Sequence, residues 1–137
     1  MTIVIDSSYL VALILARDSR HNDAMRLGRQ IITEMKIVPA PVVTEVFYLA
    51  LSRSTHDIAA ASVSLIRKAY TIVALQDSDW LRIEQIFSQY RDARLDFTDA
   101  AVIAVAERLN VTRLATFDRR DYSIVRPIHA EGFQLLP

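Results

Sequence analysis

Four carboxylates of this sequence, Asp6, Glu45, Asp99 and Asp118, stand where they could do chemistry. Asp6 directly follows the β-branched run Thr2–Ile5, and Asp118 directly follows Arg113–Phe117. Both runs read as strands, and parallel sheets bind ligands beyond the carboxyl ends of their strands. The other use of Asp at such a place is to cap the helix or turn that follows. Asp99 precedes Ala100 to Ala106, an unbroken apolar run. A helix apolar on all sides is buried, so its N-terminus must open on something polar. Asp96 suits the N-cap of that helix, and Asp99 near the third position suits its dipole; Asp99 can serve both purposes. Glu45 has Pro41, Val42, Tyr48 and Leu49 three and four residues away. It lies near the apolar face of a helix, where a carboxylate needs a partner. The alternative is a residue at the edge of an amphipathic helix.

If the four converge, the site is defined by its repulsion. Two unit charges about 5 Å apart at an effective dielectric near 20 repel by roughly 3 kcal/mol. Several such pairs need protons or a cation between them. Mg²⁺ or Mn²⁺, hard ions that take carboxylate oxygens and retain water, are the natural counter-charge. The chemistry of such a site is metal-assisted hydrolysis, most often of phosphate esters.

The elements that must bring these acids together are legible in outline. Strands are expected at Thr2–Ile5, Ile37–Val38, Tyr70–Leu75, Arg113–Phe117 and, short, at Gly132–Leu136. Helices are expected from about Ser8 to Ala16 (capped by Ser7 or Ser8), His21 to Met35 and Pro41 to Ser52. Three more are expected from a Ser54 or Thr55 cap to Ala69, from Asp77 or Ser78 onward, and over Thr98–Leu109. Trp80, Ile83, Phe87 and Tyr90 form one apolar stripe, read as core or dimer surface. Strands alternate with helices, so the fold class is α/β with a mainly parallel sheet.

Length and composition narrow the function. The 137 residues fit one domain, residues 1–137, with a surface near ~7,200 Å². Sixteen basic residues balance sixteen acidic ones, which disfavours binding nucleic acid by bulk positive field. There is no cysteine, which excludes disulfide scaffolds, thiolate metal sites and thiol nucleophiles. Two glycines are too few for a dinucleotide fingerprint or a P-loop. The apolar start is interrupted by Asp6 and reads as strand and helix, not as a signal peptide. No run is long enough to span a membrane, so a cytoplasmic protein is expected.

The order of motifs is itself informative. An apolar strand leads to Asp6-Ser7-Ser8; then come Pro41-Val42-Val43-Thr44-Glu45-Val46, Leu95-Asp96-Phe97-Thr98-Asp99-Ala100 and Ala115-Thr116-Phe117-Asp118-Arg119-Arg120-Asp121-Tyr122. This series resembles the PIN-domain ribonucleases, most closely the VapC toxins of bacterial toxin–antitoxin pairs, over essentially the whole chain. The resemblance implies a three-layer α/β/α sandwich with Mg²⁺ or Mn²⁺ held by acids at one end of the sheet. Asp6, Glu45, Asp99 and Asp118 match the four acids in order. Asp96 is accessory, and Ser8 and Thr116 match small hydroxyl positions beside the metal. Thr116 and Asp118 would share one face of an extended segment. Asp121-Tyr122 departs from the pattern, since an aromatic commonly follows the Arg pair directly.

The activity implied is endonucleolytic hydrolysis of RNA, leaving a 5′-phosphate and a 3′-hydroxyl. Arg119 and Arg120 are candidates to hold RNA phosphates, with Arg113 and Arg126 weaker ones; solvated surface arginines are the plain alternative. A homodimer and a VapB-type antitoxin are the implied partners, the antitoxin laying a basic side chain in the acidic pocket. A phosphorelay receiver is disfavoured by the lack of a late lysine, and a dehalogenase-type phosphatase by Ser8 where a second Asp is needed. A non-catalytic PIN-like module that binds RNA or protein is the competing reading.

Overall fold

The structure, a computed structural model, describes all 137 residues. Five strands, β1 (Thr2–Ile5), β2 (Met35–Pro39), β3 (Thr71–Val73), β4 (Arg113–Ala115) and β5 (Gln134–Leu136), form one sheet in the order β3-β2-β1-β4-β5. Every neighbouring pair is parallel. The chain starts in the centre, steps outward through β2 to β3, then returns past β1 to β4 and β5. The direction of winding therefore reverses at β1 and β4, and a crevice opens beyond their carboxyl ends.

Seven helices connect the strands: α1 (Ser7–Ile14), α2 (His21–Gln30), α3 (Ala40–Arg53), α4 (His56–Ala69), α5 (Asp77–Gln89), α6 (Phe97–Arg108) and α7 (Arg119–Ile124). Right-handed crossovers put α1 to α4 on one face and α5 to α7 on the other. This is the expected α/β/α sandwich. β1 is sealed from Ile3 onward, and α6 is buried from Thr98 to Glu107, so strand and helix together form the centre of the core. The exposed surface is 7593 Å², close to the value scaled from chain mass.

Element ends differ from expectation for identifiable reasons. Asp6, not Ser7 or Ser8, is the N-cap of α1. Helix α2 stops at Gln30, and Met35 already pairs as the first residue of β2. Strand β4 ends at Ala115, before Phe117: the Thr116 amide still donates to the Leu136 carbonyl, but the Ser8 and Thr116 hydroxyls take the amides of Phe117 and Asp118. The expected stripe on α5 divides: Ile83 and Tyr90 pack on the core, joined by Ile86, whereas Trp80 and Phe87 are exposed. Helix α7 was not expected from the sequence.

α5 is fastened to α6 by buried ion pairs. Arg108 Nε lies 2.9 Å from Asp79 Oδ1, and Arg82 binds both oxygens of Glu107 at 2.6 and 2.9 Å. Arg113, a weaker candidate for RNA contact, is engaged by Glu34 and so is committed to the fold.

Candidate active site

Asp6 is the hub. Ile5 pairs with Ala115, and the Asp6 amide donates to the Ala115 carbonyl at 3.0 Å, so β1 delivers Asp6 into the crevice beside the end of β4. The carboxylate is 2% exposed. Its Oδ2 accepts from Ser8 Oγ at 2.7 Å and Thr116 Oγ1 at 2.8 Å; its Oδ1 accepts from the Tyr122 hydroxyl at 2.9 Å. Ser8 Oγ in turn accepts from the Phe117 amide and Thr116 Oγ1 from the Asp118 amide, both at 2.9 Å. Each hydroxyl therefore spends its proton on Asp6 and a lone pair on the loop. The Ser8 amide also donates to Oδ2, at 3.4 Å, so the same carboxylate caps α1. Ser8 and Thr116 thus orient Asp6 and tie it to the loop that carries Asp118. That loop is a turn held by side chains, not the extended segment expected for Thr116 and Asp118.

The other three predicted acids meet around this hub. Asp99 is 5% exposed and sits in the first turn of α6, its amide donating to Asp96 Oδ1 at 2.9 Å. Asp96 is therefore the expected N-cap of α6. Asp99 lies close enough to Asp96, Asp6 and Asp118 to feel each charge; burial first, then those neighbours, push its carboxyl up to about 9. Asp118 is also raised, by burial and then by Asp121, with Asp6 contributing. Glu45 on α3 is raised chiefly by burial; Asp96 and Asp6 add to this, while hydrogen bonds from Ser7 and Thr98 oppose it. The Ser7 Oγ–Glu45 Oε2 distance is 2.5 Å, so Ser7 links Glu45 to the start of α1 beside Asp6.

The tightest group differs from the predicted four. Asp99, Asp118 and Asp121 each offer a carboxylate oxygen within 4.8 Å of the others. Asp121 stands three residues after Asp118 on α7, on the same side of that helix. Asp6 borders Asp99 and Asp118, and Glu45 adjoins Asp6 and Asp96. The sequence reading missed Asp121, Tyr122 and Ser7. The Asp118-x-x-Asp121 spacing was the available signal for the first, but a six-residue helix has too little periodicity to show itself.

The residues fit a hard divalent cation. Asp6, Glu45, Asp99 and Asp118 make no ion pair with Lys or Arg; Arg120 reaches only Asp121, at 2.9 Å. The donor set is all oxygen, and a doubly charged ion supplies the compensation that protons otherwise provide. Arg119 holds the Pro137 carbonyl, so both predicted RNA-contacting arginines already have partners in the free protein.

A parallel sheet with uncompensated carboxylates at its reversal point defines an α/β protein with a candidate cation site there. The chain belongs to the PIN domain family, whose model matches residues 3–126. It is 28% identical to Ribonuclease VapC26 of Mycobacterium tuberculosis, covering 98% of this chain and 99% of the relative. Its fold matches Mycobacterium tuberculosis VapC20, described as a Sarcin-Ricin loop cleaving toxin, with TM-score 0.78 at 20% identity over 87% of this chain and 92% of the other. It also matches VapBC2 from Rickettsia felis, bound to a DNA fragment from the promoter, with TM-score 0.75 at 9% identity over 100% of both chains. No helix is long and apolar enough to cross a membrane.

Proposed function

We propose that this chain is a metal-dependent endoribonuclease and the toxin of a VapBC-type pair, with Mg²⁺ or Mn²⁺ as its cofactor. The observation that carries this reading is the gathering of Asp99 and Asp118 beside Asp6 with no Lys or Arg paired to any of the three, Asp121 alone being held by Arg120. The full-length relative named a ribonuclease supports RNA as the substrate. A VapB-type antitoxin, a homodimer and a cytoplasmic location belong to the same proposal.

Asp99, Asp118 and Asp121 would hold the ion, with Asp6 beside them adding negative charge. A bound divalent ion lowers the pKa of water and stabilises charge developing on a phosphodiester. The protein's own part is to keep these carboxylates in place. Tyr122, Ser8 and Thr116 fix Asp6 against rotation, and Asp96 fixes the start of α6. Glu45 has one face toward solvent and a raised proton affinity, which suits it to hold a proton or orient water at the rim. Arg119 and Arg120 are placed to exchange their intramolecular partners for RNA phosphates.

The test is cleavage of single-stranded and structured RNAs in Mg²⁺ or Mn²⁺, repeated with EDTA and with Asp6→Asn. Loss of cleavage in both controls is expected. Cleavage that survives both would overturn the assignment. RNA binding by the wild type without any cleavage would favour the non-catalytic module.

A further inference from the structure

A groove of about 560 Å³ opens directly beside the acidic site. It is lined by Glu45 and Thr98, by Pro41 and Leu75, and by the rings of Trp80 and Phe97. Trp80 is 51% and Phe97 38% exposed. Their ring centroids are 5.4 Å apart and the rings are inclined by 42°, so the two form one partly exposed aromatic surface. Phe97 is the first residue of α6, two before Asp99, and Trp80 is in the first turn of α5. The ends of two helices thus put aromatic surface next to the carboxylates.

We propose that this groove is a nucleobase-stacking subsite, in which Trp80 and Phe97 hold an unpaired base of the RNA next to the bond to be cut. The inference rests on the nuclease reading above and names how its substrate is gripped. No Lys or Arg lines the groove, and its one charged residue is Glu45. A phosphate is repelled there, whereas a neutral aromatic base is not. The backbone is thereby turned toward the cation site while the base enters the groove. Single-stranded RNA is recognised in this way, by splayed bases stacked on aromatic side chains, and such stacking tolerates different sequences. A second copy of the chain would also cover these rings, but it would bury Glu45 further without giving its carboxylate a counter-charge.

Trp80 is the only tryptophan, so its fluorescence reports on the groove alone. The probe is a single-stranded RNA of about ten nucleotides, added to the Asp99→Asn chain with Mn²⁺ or to wild type in EDTA so that it stays intact. Saturable quenching is expected, and an abasic strand of equal length should give none. In cleavage assays, Trp80→Ala and Phe97→Ala should each raise KM roughly 5- to 100-fold, with kcat altered less than about threefold. Trp80→Phe should restore most of the lost affinity. Wild-type KM in Trp80→Ala overturns the subsite and leaves the nuclease reading intact. Fluorescence that follows protein concentration without RNA, with Trp80→Ala sedimenting as a smaller species, assigns the groove to a second copy and also overturns it. If wild type cuts no RNA, the nuclease reading fails, and the base-dependent quench alone then decides for or against stacking.

Discussion

Tyr122 donates its hydroxyl to Oδ1 of Asp6 at 2.9 Å, and both side chains are almost sealed from solvent. The two residues come from opposite ends of the chain, so this bond joins the first strand to the last helix. Tyr122→Phe keeps the ring and removes the donor. It should lower the unfolding free energy by about 1–3 kcal/mol, read as the shift of a urea transition in EDTA. An unchanged transition would show that Ser8 and Thr116 hold Asp6 without help.

The pH dependence of stability without metal has a definite sign. The Asp99 carboxyl is raised from 3.8 to about 9 in the folded protein, by burial and by neighbouring carboxylates. Between those values the folded protein keeps a proton that the unfolded chain has released. Stability therefore falls as pH rises through that window. Glu45 and Asp118 are raised too and act in the same direction. Urea midpoints in EDTA should decline from mildly acidic to mildly alkaline pH, and Asp99→Asn should flatten the decline. A wild-type midpoint that holds level across the window counts against the geometry.

Divalent metal should reverse that decline. Binding only to the folded state adds about 2.7 kcal/mol at a hundred times Kd, seen as a rise in Tm on titrating Mn²⁺. Asp99→Asn and Asp118→Asn should abolish the rise. Asp121→Asn should weaken the metal at least about tenfold, while Arg120→Ala, which removes only the partner of Asp121, should not. Equal affinity in Asp121→Asn would remove this residue from the site.

The α5–α6 fastening is a separate matter from catalysis. Asp79 is 1% exposed and Arg108 is its charged partner. Arg108→Ala leaves that carboxylate buried and unpaired, which costs about 3–5 kcal/mol. Chemical denaturation would measure the loss. A cost below about 1 kcal/mol would mean that the pair behaves as a surface pair.

The acids at the strand ends were legible because parallel strands have a polarity. A carboxylate following a buried strand must emerge at the ligand side, and Asp6 and Asp118 do. Asp99 was legible because a wholly apolar helix has only its end free to meet solvent. Asp121 was hidden between two arginines and Tyr122, where no periodicity marks a helix of six residues. Trp80 was grouped with Ile83 and Phe87 by spacing, but α5 meets the core along Ile83 and Ile86, which leaves Trp80 outside.

By itself the sequence determined the α/β class, the alternation of elements and the carboxylates that emerge at strand and helix ends, because these follow from local periodicity and chain direction. Only the tertiary structure decided that three hydroxyls from Ser8, Thr116 and Tyr122 converge on Asp6, that Asp121 joins Asp99 and Asp118, and that two aromatic rings flank Glu45. Those relationships join residues far apart along the chain, and their geometry is set by how helices pack on the sheet, which no local pattern records.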